Sequence, residues 1–195
     1  MRGVEMISRK NIGLFGGTFD PIHHGHLILA RDAMESLGLD GVIFIPAWVS
    51  PHKLGRPPVQ GEIRCDMLEA AIQGEKGFSF ERYEIDREGP SYTIDTVRHL
   101  IARAPDTDFH YLIGGDNVET LGTWHQIEEL KHLVRFAVLA RNGGETLGGM
   151  PVVSRRVEIS SSEIRKRVAA GHSVRYLLPD KVCKIIERHG LYRNE

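Results

Sequence analysis

Gly16-Gly17-Thr18-Phe19-Asp20-Pro21-Ile22-His23-His24-Gly25-His26 follows directly on the apolar run at 12–15, and that order sets the fold class. A short unbroken apolar run reads as a buried parallel strand, and glycines after it let the backbone approach a phosphate at the strand's carboxyl end. The apolar pattern at 27–33 predicts a helix whose first turn takes His23 and His26. Residues three apart share a helix face, and a helix start carries partial positive charge, so two imidazoles there make a place for phosphate oxygens. The stretch advertises a nucleotide site. No Gly-Lys-Ser/Thr follows, as a P-loop would require, and Gly-x-Gly-x-x-Gly is absent. Three close histidines could instead ligate zinc, but Cys65 and Cys183 stand far apart without a Cys-x-x-Cys pair, which leaves a structural zinc site short of thiolates. No metal ligand is assigned.

The 195 residues suit one compact domain with a sizeable core, with a short polar extension at 1–10 and a single domain over 11–195. The extension lacks the uninterrupted apolar core of a secretion signal. A hydrophobic fraction of 41% agrees with a packed core, and a formal net charge of −1 provides no basic surplus for general nucleic-acid binding. The expected partners are small anions held at a local positive site, not nucleic acid and not a membrane. Two distant cysteines suggest no disulfide framework, and no apolar stretch approaches a membrane-crossing length, so a reducing cytoplasm fits best.

Apolar runs at 12–15, 42–45, 109–113 and 136–140 read as buried strands, and 152–159 is a further candidate. Helices are expected at about 24–37, 61–73, 93–103, 124–132, 161–170 and 179–189. That alternation predicts an α/β fold, a Rossmann-like open parallel sheet with helices on both faces and a small C-terminal helical element. The glycine-rich stretch 142–149 reads as a flexible surface connection. Ligands of open parallel sheets bind beyond the carboxyl ends of the strands, so 16–26, 46–53, 114–117 and Arg141 should share one rim.

Other stretches carry two meanings. Ser160-x-x-Glu163 has the spacing of a capping box. The same helix start offers backbone amides and the hydroxyls of Ser161 and Ser162, and Arg165, one turn on, can reach the same anion. Ser91-Tyr92-Thr93-Ile94-Asp95-Thr96 opens a helix with hydroxyls and a carboxylate, and Trp124 follows the turn Gly114-Gly115-Asp116-Asn117. Singly, these are a capped helix and a packing tryptophan.

Together they resemble a known family. His23, Gly25 and His26 stand at the fixed positions of the signature of the HxGH nucleotidyltransferase superfamily, with His24 at its variable one. Residues 159–165 are similar to its second signature, Ile-Ser-Ser-Thr-x-Ile-Arg, with Ser162 keeping the hydroxyl of the commoner threonine. The Ser-Tyr-Thr-x-Asp-Thr segment at 91–96, the Gly-x-Asp turn, Trp124 and Pro51-His52-Lys53 resemble one branch, the bacterial nicotinate-nucleotide adenylyltransferases. The resemblance runs from Asn11 to Tyr192.

The resemblance implies adenylyl transfer from ATP to nicotinate mononucleotide, with Mg²⁺ accompanying the ATP. It makes His23, His26 and Arg165 catalytic, Arg165 facing the pyrophosphate portion of ATP. Gly16, Gly17, Thr18, Phe19, Gly25, Arg141, Ser160, Ser161 and Ser162 would bind ATP. Trp124 would stack on the pyridine ring, Thr93 and the amide of His125 would bind the ring carboxylate, and Lys53 and Asp116 would meet the mononucleotide. Open alternatives are another HxGH adenylyltransferase, using nicotinamide mononucleotide or phosphopantetheine, and a nucleotide sensor without turnover. A homo-oligomer is also left open.

Overall fold

In the computed structural model, which describes residues 9–49, 57–140 and 146–193, the strand expected at 12–15 runs longer, as β1 (Lys10–Gly17). It pairs in parallel with β2 (Gly41–Pro46) on one side and with β4 (Thr107–Gly114) on the other. Beyond β2 lies β3 (Phe78–Phe80), and beyond β4 lie β5 (Arg135–Ala140), β7 (Met150–Ser154) and β6 (Thr146–Leu147). Six strands run parallel and β6 runs antiparallel to β7 among the described residues. The expected open parallel sheet is the one that forms.

Alternation along the strands sends side chains to two cores. Leu14, Ile45, Ile113 and Val138 pack on one face with α4 (Thr93–Arg103) and α5 (Ile127–Leu133). Their neighbours Phe15, Phe44, Leu112 and Leu139 pack on the other with α1 (His24–Ser36), α2 (Gly61–Ile72), α6 (Ser161–Ala169) and α7 (Asp180–His189). Strands covered on both faces need apolar residues at every position, which is why they read as unbroken runs.

The differences from expectation are local. The helix expected from 124 begins at Ile127, because Trp124 closes a short 3₁₀ turn and Gln126 takes a left-handed conformation with φ 52°, which a right-handed helix cannot contain. β3 and the short α3 (Tyr83–Arg87) have no counterpart in the expected elements. Within the connection expected at 142–149, Thr146–Leu147 pairs with β7 as a strand, while 141–145 lie outside the described residues. β7 stops at Ser154, so only the first part of 152–159 is strand. Residues 1–8 of the extension also lie outside the described residues. The strand order reverses direction at β1, with β2 on one side and β4 on the other, and this switch point opens a crevice at the carboxyl ends of β1 and β4.

Candidate active site

Two clefts open at that crevice, and they share a wall made of Gly16, Gly17, Thr18, Gly114, Asp116 and Asn117. The first, about 850 Å³, is also lined by Phe19, His23, His26, Ser161, Ser162 and Arg165. The second, about 590 Å³, is lined by Glu84, Thr93, Tyr111, Trp124 and His125. Apart from Gly16, Gly17, Thr18 and Asp116 on the shared wall, the residues expected for ATP that line a cleft fall in the first and those expected for the acceptor in the second. Lys53 and Arg141 lie outside the described residues. Gly25 and Ser160 line neither chamber. The Ser160 hydroxyl accepts the Glu163 N–H at 3.1 Å and caps α6, and a Cβ on Gly25 would meet the His23 ring at 3.0 Å.

The turn between β1 and α1 is the floor of the first cleft. His23 is the N-cap of α1 rather than a member of its first turn. Its backbone N–H donates to His26 Nδ1 at 3.3 Å, which in the uncharged ring leaves the proton on Nε2 as a donor. The two imidazoles stack with centroids 3.7 Å apart, and Phe15 and Phe19 meet His26 edge-on. A Cβ at Gly16 would collide with the Tyr111 hydroxyl, and one at Gly17 would meet the Phe19 ring at 2.9 Å. These glycines are therefore required by protein neighbours, whatever a phosphate requires of them.

Four side chains clasp this turn. The Asp20 carboxylate accepts the Tyr192 hydroxyl at 2.6 Å, the Asp20 carbonyl accepts Arg165 Nη1 at 2.8 Å, and the Pro21 carbonyl accepts the Ser161 hydroxyl at 2.9 Å. From α2, Arg64 donates to the Thr18 carbonyl at 2.7 Å and to the Val59 carbonyl at 2.8 Å. Only 1% of Arg64 is exposed; burial pulls its pKa down, and the nearby Asp20 charge opposes that shift. Arg165 both lines the cleft and pins the turn. Neither Arg64 nor Tyr192 is among the expected site residues. A guanidinium on the buried stripe of α2, beside Gly61, Cys65 and Leu68, is the one signal Arg64 offers in sequence. Tyr192 offers none, because its partner is 172 residues away.

The second cleft is built from side chains. Trp124 meets Tyr111 edge-on at 5.8 Å, which holds its ring as a platform on the wall. Tyr92 lies against His125 at 4.6 Å, and Thr93 Oγ1 is 3.4 Å from the Tyr111 hydroxyl. Burial raises the pKa of that Tyr111 hydroxyl, so it stays protonated. Beneath α4, Glu84 is buried and accepts the Thr96 hydroxyl at 2.7 Å.

The chain matches the cytidylyltransferase-like family over residues 14–167. It is 46% identical over 184 residues to a protein of Geobacillus thermodenitrificans, covering 93% of this chain and 85% of that one. It is 45% identical over 188 residues to a protein of Bacillus mycoides, covering 95% and 100%. Both carry the name "Probable nicotinate-nucleotide adenylyltransferase". The solved structure of Plasmodium falciparum nicotinic acid mononucleotide adenylyltransferase complexed with NaAD matches with a TM-score of 0.74 at 19% identity, over 95% of this chain and 98% of that one, a likeness of fold. With a family match over most of its length and relatives this similar almost end to end, the chain belongs to the cytidylyltransferase-like family and, within it, to the nicotinate-nucleotide adenylyltransferases.

Proposed function

We propose that this chain transfers the adenylyl group of ATP to the phosphate of nicotinate mononucleotide, releasing pyrophosphate and forming nicotinate adenine dinucleotide on the route to NAD. One observation carries the proposal: two clefts adjoin across Gly16, Gly17 and Thr18, so phosphates entering from either side meet over one wall. The names of the relatives, and the NaAD bound by the Plasmodium falciparum enzyme, support this acceptor.

The acceptor phosphate attacks the α-phosphorus of ATP; a P–O bond forms there and the bond to pyrophosphate breaks. A phosphate monoester has a second pKa of about 6 and is mostly ionised near neutrality, so no strong general base is needed. The work left to the protein is alignment and charge stabilisation. His26 with its proton on Nε2, His23, the amides of Gly17 and Thr18, the start of α6 with Ser161 and Ser162, and Arg165 are the groups available in the first cleft. Asp20, bonded to Tyr192, orients the turn, in keeping with direct in-line transfer and no covalent intermediate.

In the second cleft Trp124 offers a face for the pyridine ring, Thr93 and the His125 amide grip its carboxylate, and Asp116 sits where the two chambers join. Lys53 and Arg141 keep their assignments to the mononucleotide and to ATP. We assign Mg²⁺ to the triphosphate, since that ion takes phosphate oxygens and waters in preference to an all-protein cage. Among the described residues no group of three His, Cys, Asp or Glu is placed to hold a metal ion. When bound, the ion neutralises charge on the departing pyrophosphate. We further propose a cytoplasmic enzyme of one domain; no helix among the described residues is long and apolar enough to cross a membrane, and both cysteines are free.

Pyrophosphate release from MgATP, measured in parallel with nicotinate and nicotinamide mononucleotides, tests the proposal. An amide brings N–H donors against the donors of Thr93 and His125, and each buried mismatch costs about 1–3 kcal/mol. Two mismatches should separate the acceptors by on the order of 100-fold in kcat/KM. Equal efficiency would remove the acid-selective assignment, and no release with either would leave a different acceptor or a nucleotide sensor.

A further inference from the structure

Glu84 is out of place in a chamber meant for an acid. Its side chain is 5% exposed and lines the second cleft together with Thr93, Trp124 and His125. Thr96 and Thr93 stand three residues apart on α4, so they share a helix face with Cβ atoms roughly 5–6 Å apart. A carboxylate held by Thr96 at 2.7 Å is therefore about one helical turn from any substituent that Thr93 grips. Two unit negative charges about 6 Å apart, at an effective dielectric constant of about 20, oppose each other by on the order of 100-fold in an equilibrium constant.

Arg87 and Arg64 attract Glu84 through space, but among the described residues neither forms an ion pair with it. Arg87 of α3 and Asp95 of α4 are paired with each other at 2.9 Å. Arg64 of α2 is engaged by the Thr18 and Val59 carbonyls, and Tyr111 of β4 stays protonated. No guanidinium or ammonium forms an ion pair with Glu84 among the described residues. Burial raises the carboxyl above its ordinary range, with the Thr96 and Ser91 hydroxyls and then the Arg87 charge opposing the shift. Its partners are hydroxyls, and a hydroxyl can turn from donor to acceptor without moving its oxygen. Ser91 Oγ already accepts the Trp48 N–H at 2.9 Å and retains a second lone pair. The same frame therefore fits Glu84 with or without a proton.

Given the acceptor proposed above, we infer that Glu84 takes up a proton from solvent when nicotinate mononucleotide binds, leaving the substrate's carboxylate as the one anion in that part of the cleft. Glu84 is thereby a specificity-determining residue of the acceptor site. The complex holds a proton that the free protein gives up more readily, so affinity for the acid acceptor is strongest at low pH and falls as pH rises through the carboxyl's range. An acceptor whose ring bears an uncharged amide in place of the carboxylate imposes no such linkage.

Calorimetric titration of the enzyme, with a non-hydrolysable ATP analogue and Mg²⁺ present, tests this near pH 7 in two buffers of different ionisation enthalpy. Nicotinate and nicotinamide mononucleotides carry the same phosphate, so its protons cancel in the comparison. The acid should bind with an additional uptake approaching one proton, and Glu84→Gln should abolish the difference. Between pH 6.5 and 8.5 the KM for the acid acceptor should rise about tenfold in the parent enzyme and less than about twofold in Glu84→Gln. Equal uptake for the two nucleotides in the parent would overturn the inference without recourse to any variant, and so would a Glu84→Gln enzyme with the parent's pH profile. Failure of the acid nucleotide to bind at all would overturn the acceptor assignment and this inference with it.

Discussion

The two chambers of the crevice are held in different ways. The first is built on the β1–α1 turn, the start of α1 and the start of α6, and the turn is braced by Arg64, Ser161, Arg165 and Tyr192, three of them bonded to carbonyls of the turn and Tyr192 to the Asp20 carboxylate. The second is lined by side chains of Glu84, Thr93, Tyr111, Trp124 and His125, whose mutual contacts are ring edges and hydroxyls. In the first chamber Ser161 and Arg165 both line the cleft and hold the turn, so changing them disturbs its floor, whereas the side chains of the second can be altered one at a time. The proposed function therefore assigns the reaction type to the first chamber and the choice of acceptor to the second.

The division is most severely tested at His26. His26→Ala removes the Nε2 donor and should lower kcat by roughly 100-fold or more with little change in melting temperature. His24 is not among the residues lining the cleft, and His24→Ala should be mild. Steady-state kinetics on both variants check this, and equal losses would mean that the start of α1 acts through stability alone. A smaller effect belongs to the other chamber. Trp124→Ala should raise the KM for acid and amide acceptors alike by about tenfold, since an aromatic face is indifferent to the ring substituent, and leave the KM for MgATP nearly unchanged. A matching rise for MgATP would merge the two chambers into one. The smallest effect separates a cap from a ligand. Ser160→Ala loses the bond to the Glu163 N–H and should cost about 1 kcal/mol of stability in denaturant titration, with MgATP kinetics unaltered.

Separation along the chain decides which parts of the molecule are legible in the order of its residues. The runs at 42–45 and 109–113 stand out because burial on both faces demands unbroken apolar residues. Phe78–Phe80 does not stand out, because three residues with a serine at the centre make no run, and pairing with β2 is what holds them. The start of α5 is misread because the left-handed Gln126 has no apolar signature. The proximity of His23 and His26 is legible because they lie within one helical turn, and the structure differs in making His23 the cap rather than a first-turn residue. Thr93 and Trp124 carry meaning only through family resemblance. Arg64 and Tyr192 act on partners 46 and 172 residues away, beyond the reach of any periodic pattern.

The bond between Tyr192 and Asp20 also orders events in time. During synthesis the β1–α1 turn leaves the ribosome early, and the hydroxyl that holds its carboxylate follows 172 residues later. Folding from the N-terminus can assemble β1 and α1 meanwhile, and closing so long a loop adds only slowly to the entropic cost. The bond that braces the floor of the first cleft therefore forms only after every described strand of the sheet has been made, and the β1–α1 turn spends that interval without it.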